Sequence, residues 1–160
     1  MITQQKTKEL FALRDDGQLV WKISNSNRVK VGDIAGTIHH DGYRRIMING
    51  KTYAAHRIIW LMVHGKLPVD CLDHINGNGL DNRIINLREA NSKQNQQNQI
   101  KPQLNNKIGF FGVSLHKSGK FVAQIAINRK KKYLGLFNTP EQAHEVYLKA
   151  KRQHHEFCTI

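Results

Sequence analysis

Cysteine is nearly absent from this chain. Cys71 and Cys158 are the only two in 160 residues, with no Cys-x-x-Cys spacing, so a disulfide framework and a cysteine zinc site are both disfavoured. Cys71 lies in an apolar run and reads as a buried free thiol. Long hydrophobic runs are also missing, and none approaches the roughly 20 residues of a membrane-spanning helix. The opening Met1-Ile-Thr-Gln-Gln-Lys has no apolar signal-peptide core. The expectation is a soluble, cytoplasmic chain with no membrane partner. Zinc-like histidine spacing is lacking at His39, His40, His64, His116, His144, His154 and His155. Acid is scarce as well. Twelve Asp and Glu face 25 Lys and Arg, a formal charge of +13.

That charge is uneven. Residues 1–99 carry 14 basic against 9 acidic side chains, a net of +5, and residues 100–160 carry 11 against 3, a net of +8. A polyanion is the natural partner, and nucleic acid comes before membrane.

Local patterns place the elements. Residues 19–23 read as a strand after the turn Asp15-Asp16-Gly17. Asn49-Gly50 separates Tyr43–Ile48 from Lys51–Ala55, a hairpin signal of type I′. His56–His64 is too densely apolar for a half-exposed strand and reads as a buried helix ended by Gly65 and Pro68. Residues 69–75 read as a short strand and Asn76–Gly79 as a loop. Asp81 is a candidate cap for a short helical turn, and residues 91–98 form a polar helix led by Asn91 or Ser92.

After Pro102 the pattern changes. Phe110–Leu115, Lys120–Asn128 and Lys132–Phe137 read as strands, with Ser118-Gly119 and the basic Asn128–Lys132 as turns. Thr139 and Pro140 then open a helix with Ala143, Val146, Tyr147 and Ala150 on one face.

The chemistry concentrates in Leu72-Asp73-His74-Ile75-Asn76-Gly77-Asn78, then Asp81–Arg88, then Asn95. Asp73 and Asn95 are hard oxygen donors suited to magnesium or manganese. Neutral His74 next to Asp73 can take a proton from an attacking water. On a regular strand, adjacent side chains point to opposite faces, so joint service at one site requires a local bend. Arg83 and Arg88 are candidate phosphate clamps, each of which can instead pair with Asp81 or Glu89. For Asn76, Asn78 and Asn82 a turn role is expected, and His56 is expected to be a buried structural histidine.

This segment resembles the HNH endonuclease family. Upstream blocks extend the likeness to phage-borne HNH homing endonucleases: Asp41-Gly-Tyr43, Gly50-Lys51-x-Tyr53-x-Ala55-His56-Arg57-x-x-Trp60 and Gly65-x-x-Pro68. It covers roughly residues 10–98. The resemblance implies that Asp73 binds the metal, that His74 is the general base, and that Asn86 holds the loop and orients His74. It places Asn95, as in the HNN subgroup, in the second ligand position, with Asn98 as the alternative one helical turn on. An amide oxygen there disfavours zinc.

Gly112-Val113-Ser114, Gly119-Lys120-Phe121-x-Ala123-x-Ile125, Tyr133-Leu134-Gly135-x-Phe137-x-Thr139 and Glu141-x-Ala143-x-x-x-Tyr147 resemble the APETALA-type (ethylene-response-factor) DNA-binding domain over about residues 108–157. The positions matching its DNA-contacting face include Ser114, His116, Gln124, Lys131 and Tyr133. Most of the family's arginines are missing, so its target sequence does not transfer. Lys130, Lys131 and Lys132 are candidate phosphate contacts.

The expected architecture is α+β: a ββα-metal nuclease domain over 1–98, a linker over 99–107, and a three-stranded antiparallel sheet packed on one helix over 108–160. The expected activity is metal-dependent hydrolysis of duplex DNA, with a homodimer as one route to cutting both strands. The rival is a non-catalytic, sequence-specific DNA-binding regulator.

Overall fold

A computed structural model describes residues 2–24, 28–99, 102 and 106–159. The chain separates into two compact units, Met1–Ser92 and Lys93–Ile160. Of the linker expected over 99–107, residues 100, 101 and 103–105 lie outside the described residues. The architecture is α+β, and every strand pairing among the described residues is antiparallel.

In the first unit, helix α1 (Gln4–Leu10) leads into the hairpin β1 (Phe11–Leu13) and β2 (Leu19–Trp21). Strands β3 (Thr37–Ile38), β4 (Arg44–Ile48) and β5 (Lys51–Ala54) form a second sheet in that order. Asn49 and Gly50, at φ 47° and 74°, make the left-handed β4–β5 turn that Asn-Gly favours. Helix α2 (Ala55–His64) follows directly and ends at Gly65, whose N–H donates to the Leu61 carbonyl from a left-handed conformation. Its inner face, with Ile58 and Ile59 each at most 1% exposed, packs with Phe11, Trp21 and Ile46. Truncating such a side chain costs about 2–5 kcal/mol. This core carries strand β6 (Cys71–His74), the 3-10 turn Ile84–Asn86 and strand β7 (Leu87–Ala90), with β6 and β7 paired.

The second unit holds most of helix α3 (Ser92–Gln97), then β8 (Val113–Leu115), β9 (Phe121–Ile127), β10 (Lys130–Phe137) and α4 (Pro140–His154). The sheet order is β10-β9-β8. Thr139 caps α4 by accepting from the Gln142 N–H. Ala123 and Ile125 of the middle strand are buried, with Ala143, Tyr147 and Ala150 of α4. Gly112 sits at φ +76°, where a Cβ would lie 2.0 Å from the Tyr147 ring. Only glycine lets the chain pass there.

Three local expectations are corrected. The turn before β10 is Asn128-Arg129 alone, both at positive φ, and Lys130–Lys132 are strand residues paired with Ile127, Ala126 and Ile125. A two-residue turn matches the twist of the flanking strands better than the five-residue basic loop expected. Asp81 does not cap the 3-10 turn, which begins after Arg83 without a side-chain cap. Its carboxylate is taken by Arg83 and Asn76 instead. Cys71 is half-buried rather than buried, and its thiol donates to Asp70 Oδ1 at 3.6 Å.

Candidate active site

The β6–β7 hairpin positions the chemistry. Asp73 lies directly opposite Arg88, and His74 opposite Leu87. Directly opposed residues share a face, with Cβ atoms about 5 Å apart. Arg88 therefore reaches Asp73, its Nε 2.9 Å and its Nη2 2.8 Å from Oδ2. Asp73 and His74 are each 4% exposed. A carboxylate that deep needs a cation beside it, and Arg88 meets that need. Sequence spacing had offered Arg88 its neighbour Glu89. The strand register brings it to Asp73.

The imidazole of His74 is held by a residue expected only to make a turn. Asn82 is 3% exposed, and its Oδ1 lies 2.9 Å from His74 Nε2. With an amide oxygen facing it, Nε2 carries the proton and donates. Nδ1 is then the nitrogen with a lone pair for proton transfer. Asn82 carries no local signal that separates it from Asn76 or Asn78. What distinguishes it is burial.

Asn86 is spent on the loop. Its Oδ1 accepts from the Asn76 N–H at 3.0 Å, and its Nδ2 donates to Asn76 Oδ1 at 3.0 Å and to the Asp81 carbonyl at 2.7 Å. Its backbone carbonyl accepts from the Ile75 N–H at 2.8 Å. Asn86 thus ties both ends of loop 76–81 to the residue after His74, while Asn82 touches the imidazole. The loop is also braced from behind. Gly17 stands at φ +78°, where a Cβ would fall 2.3 Å from the Arg83 nitrogen.

Two rings adjoin His74. His56 meets it edge-on at 5.1 Å between centroids, and Tyr43 lies 5.7 Å away. Burial, then the nearby His74 and Arg57, push His56 down to a pKa of about 4, so it is neutral at pH 7. Burial, with Asp41 and Asp73 nearby, raises that of Tyr43. Tyr43 and His56 also line a cleft of about 390 Å³ with Asp41, Arg45, Thr52 and Ala54.

The remaining candidates have other partners or lie on other elements. Arg83 is half-exposed and bound through Nε and Nη2 to Asp81 at 2.8 and 2.6 Å, which holds the Asp81 carboxyl down to about 2. Asn95 is exposed on α3 and belongs to the second unit. Asn98 is buried there and accepts from the Thr159 hydroxyl at 2.7 Å. On the β8–β10 sheet, cross-strand partners share a face, so Lys131 and Tyr133 lie with Ala126 and Gln124 on the side away from Ala123 and Ile125. Ser114, opposite Val122, joins them. Lys130 and Lys132 fall on the other side, although both are exposed. His116 pairs with the Ser118 hydroxyl at 2.8 Å in the β8–β9 turn.

Residues 53–97 match the family model for HNH endonuclease. The matched stretch contains Asp73, His74, Asn82, Asn86, Arg88 and Asn95, and the chain therefore carries an HNH endonuclease domain. A solved structure on DNA binding and cleavage by the HNH homing endonuclease I-HmuI is similar over 92% of this chain and 88% of that one, at 23% identity and a TM-score of 0.43. A likeness that loose carries no argument here. No curated protein matches the chain.

Proposed function

We propose that this chain is a divalent-metal-dependent endonuclease of the homing type that hydrolyses phosphodiester bonds in duplex DNA and docks through its second unit. The observation that carries the reading is the burial of both Asp73 and His74 at the end of β6, with His74 Nε2 held by Asn82, inside the stretch that matches HNH endonuclease.

The donor chemistry fits a hard cation. Asp73 is a buried carboxylate, a hard oxygen donor, and no group of three or more His, Cys, Asp or Glu that could hold a metal ion occurs among the described residues, so other ligands would have to complete the shell. Asp73 would bind magnesium or manganese, with the Asn95 amide oxygen as the second protein ligand expected from the sequence motif and phosphate and water completing the shell. The cation would supply neutralisation of the phosphate charge and support for the leaving oxygen.

The chain's own residues do the rest. His74 Nδ1 accepts the proton as water attacks phosphorus, while Nε2–H stays on Asn82, so the ring cannot rotate away from the attack line. Asn86 keeps the loop after His74 in register. Arg88 pairs with Asp73 through Nε and Nη2 and so holds its carboxylate in place. His56, neutral at pH 7, fills the space beside His74 without adding a competing charge.

The outer face of the second unit's sheet, with Ser114, Gln124, Lys131 and Tyr133, supports an APETALA-like docking surface. Tyr133 is 63% exposed, and Lys131 lies beside it on that face. Such a sheet can enter the major groove, where base edges carry a unique code. The test is plasmid cleavage by the full chain in magnesium or manganese, with chelator and His74→Ala controls. Nicking or linearisation that both controls abolish is the expected result. Tight binding without cutting in either metal would favour the non-catalytic regulator.

A further inference from the structure

The loop that holds His74 exposes the wrong kind of side chain. Ile85 is 82% exposed, and Leu80 and Ile84, nearby in sequence, are 40% and 36% exposed. Isolated surface apolar residues are ordinary, but Ile85 differs in three ways. It sits in the 3-10 turn immediately before Asn86, whose carbonyl accepts from the residue after His74. Its backbone is rigid: Asn86 N–H donates to the Arg83 carbonyl at 2.8 Å, the Leu87 N–H to that of Ile84, and the Gly17 turn backs Asn82 and Arg83. It also belongs to a chain with net charge +13, while the nearest arginines in sequence, Arg83 and Arg88, are paired with Asp81 and Asp73. A stiff apolar tip on a strongly basic chain is complementary to a polyanion with an apolar interior, which describes stacked bases inside a phosphate backbone.

The buried reacting groups supply the need for it. Asp73 and His74 are each 4% exposed, so a phosphate on a straight duplex must be carried inward to reach them. Partly unstacking one base step kinks the duplex and displaces the backbone at that step, and inserted apolar side chains do this in other DNA-binding proteins.

We propose that Ile85 is a wedge that inserts between base pairs next to the scissile phosphate, with Leu80 and Ile84 packing against the opened step. This deepens the endonuclease reading and rests on it. The chemistry stays with His74. The wedge determines which sequences are cut, because steps that unstack easily, such as TA and CA, open at lower cost.

The experiment uses the full chain and a duplex of about 40 base pairs taken from around a mapped plasmid nick. 2-Aminopurine is placed at each step flanking the cut, and the uncut complex is formed with His74→Ala. Fluorescence should rise at one flanking step with Ile85 and fall to the free-duplex level with Ile85→Ala. In the otherwise native chain, Ile85→Ala should cut the intact duplex about tenfold or more slowly, as expected when the cost of unstacking is no longer offset. It should recover when that step carries a mismatch. Val69→Ala is the control, since Val69 is 91% exposed but precedes β6 at the far end of the hairpin from the His74 loop. It should leave both readouts unchanged.

Equal cutting of intact duplex by Ile85→Ala and the native chain overturns the wedge. So does an equal loss on intact and mismatched duplex, which would mark a merely structural role, or 2-aminopurine that stays stacked. If His74→Ala still cuts, the endonuclease assignment of that residue fails, while the fluorescence of the bound complex still decides the wedge. A chain that does not bind the duplex at all overturns both.

Discussion

Replacing Asn82 with Ala tests the central piece of geometry. The substitution removes the 2.9 Å contact that holds His74 Nε2 and leaves that N–H without its acceptor at a site 4% exposed. Two effects follow with different sizes. Stability should fall by about 1–3 kcal/mol, the usual cost of an unsatisfied buried donor. Cleavage should fall about 10–100-fold, because losing an orienting partner costs less than losing the base itself, which is worth about 10²–10⁴. The decisive measurement is a double-mutant cycle under single-turnover conditions. If Asn82 acts only through His74, adding Asn82→Ala to His74→Ala should cost nothing further in rate, since residues that work as a unit are not additive. Thermal melting of all four proteins separates the stability loss from the catalytic one. Native cutting by Asn82→Ala, or rate losses that simply multiply in the double mutant, would refute the assignment of Asn82 as the positioning residue for His74.

Asp73→Ala should abolish cleavage in both magnesium and manganese, whereas Asn95→Ala should weaken metal use with partial rescue at high manganese; full activity of Asn95→Ala in low magnesium would remove it from the ligand shell. His56 makes folding stability depend on pH. Its folded pKa of about 4 lies below the unfolded 6.5, so its contribution is complete above 6.5 and is lost as pH falls towards 4. The ceiling is about 3 kcal/mol, from a gap of roughly 2.5 pH units, and solvent reaching the ring trims it. His56→Gln should flatten denaturant-derived stability across that window relative to the native chain, and an unchanged slope would count against a neutral His56, which is half-buried rather than fully buried as expected. On the sheet, Lys131→Ala should flatten the slope of log affinity against log salt by about 0.9. The Lys130, Lys131, Lys132 triple substitution should flatten it by no more than about 3, with sequence preference surviving better than affinity.

Most elements were legible because they obey local rules. Asn49-Gly50 demanded a left-handed turn, Gly65 a helix end, and Thr139-Pro140 a helix start, and each is found there. α1, β1 and β3 carried no comparable signal and are short. Asp73 and His74 stood out because an acid, an imidazole and flanking Asn-Gly turns coincide within a few residues, and the order of the motif blocks tied them to a nuclease family. The alternating pattern of β9 likewise assigned Ala123 and Ile125 to the core side.

What sequence alone determined, then, was the set of chemical groups and the elements that carry them. Tertiary structure decided which groups meet. Arg88 reaches Asp73 through a cross-strand register, 15 residues away in sequence. Asn82 rather than Asn86 takes the imidazole, because the folded loop buries one amide against His74 and spends the other on Asn76 and Asp81. His56 arrives at His74 from helix α2, and Tyr43 from the turn that leads into β4. Turn and helix signals are short-range and survive in a bare sequence. A hydrogen bond between residues on separate elements depends on register, burial and loop closure, which exist only once the core has formed.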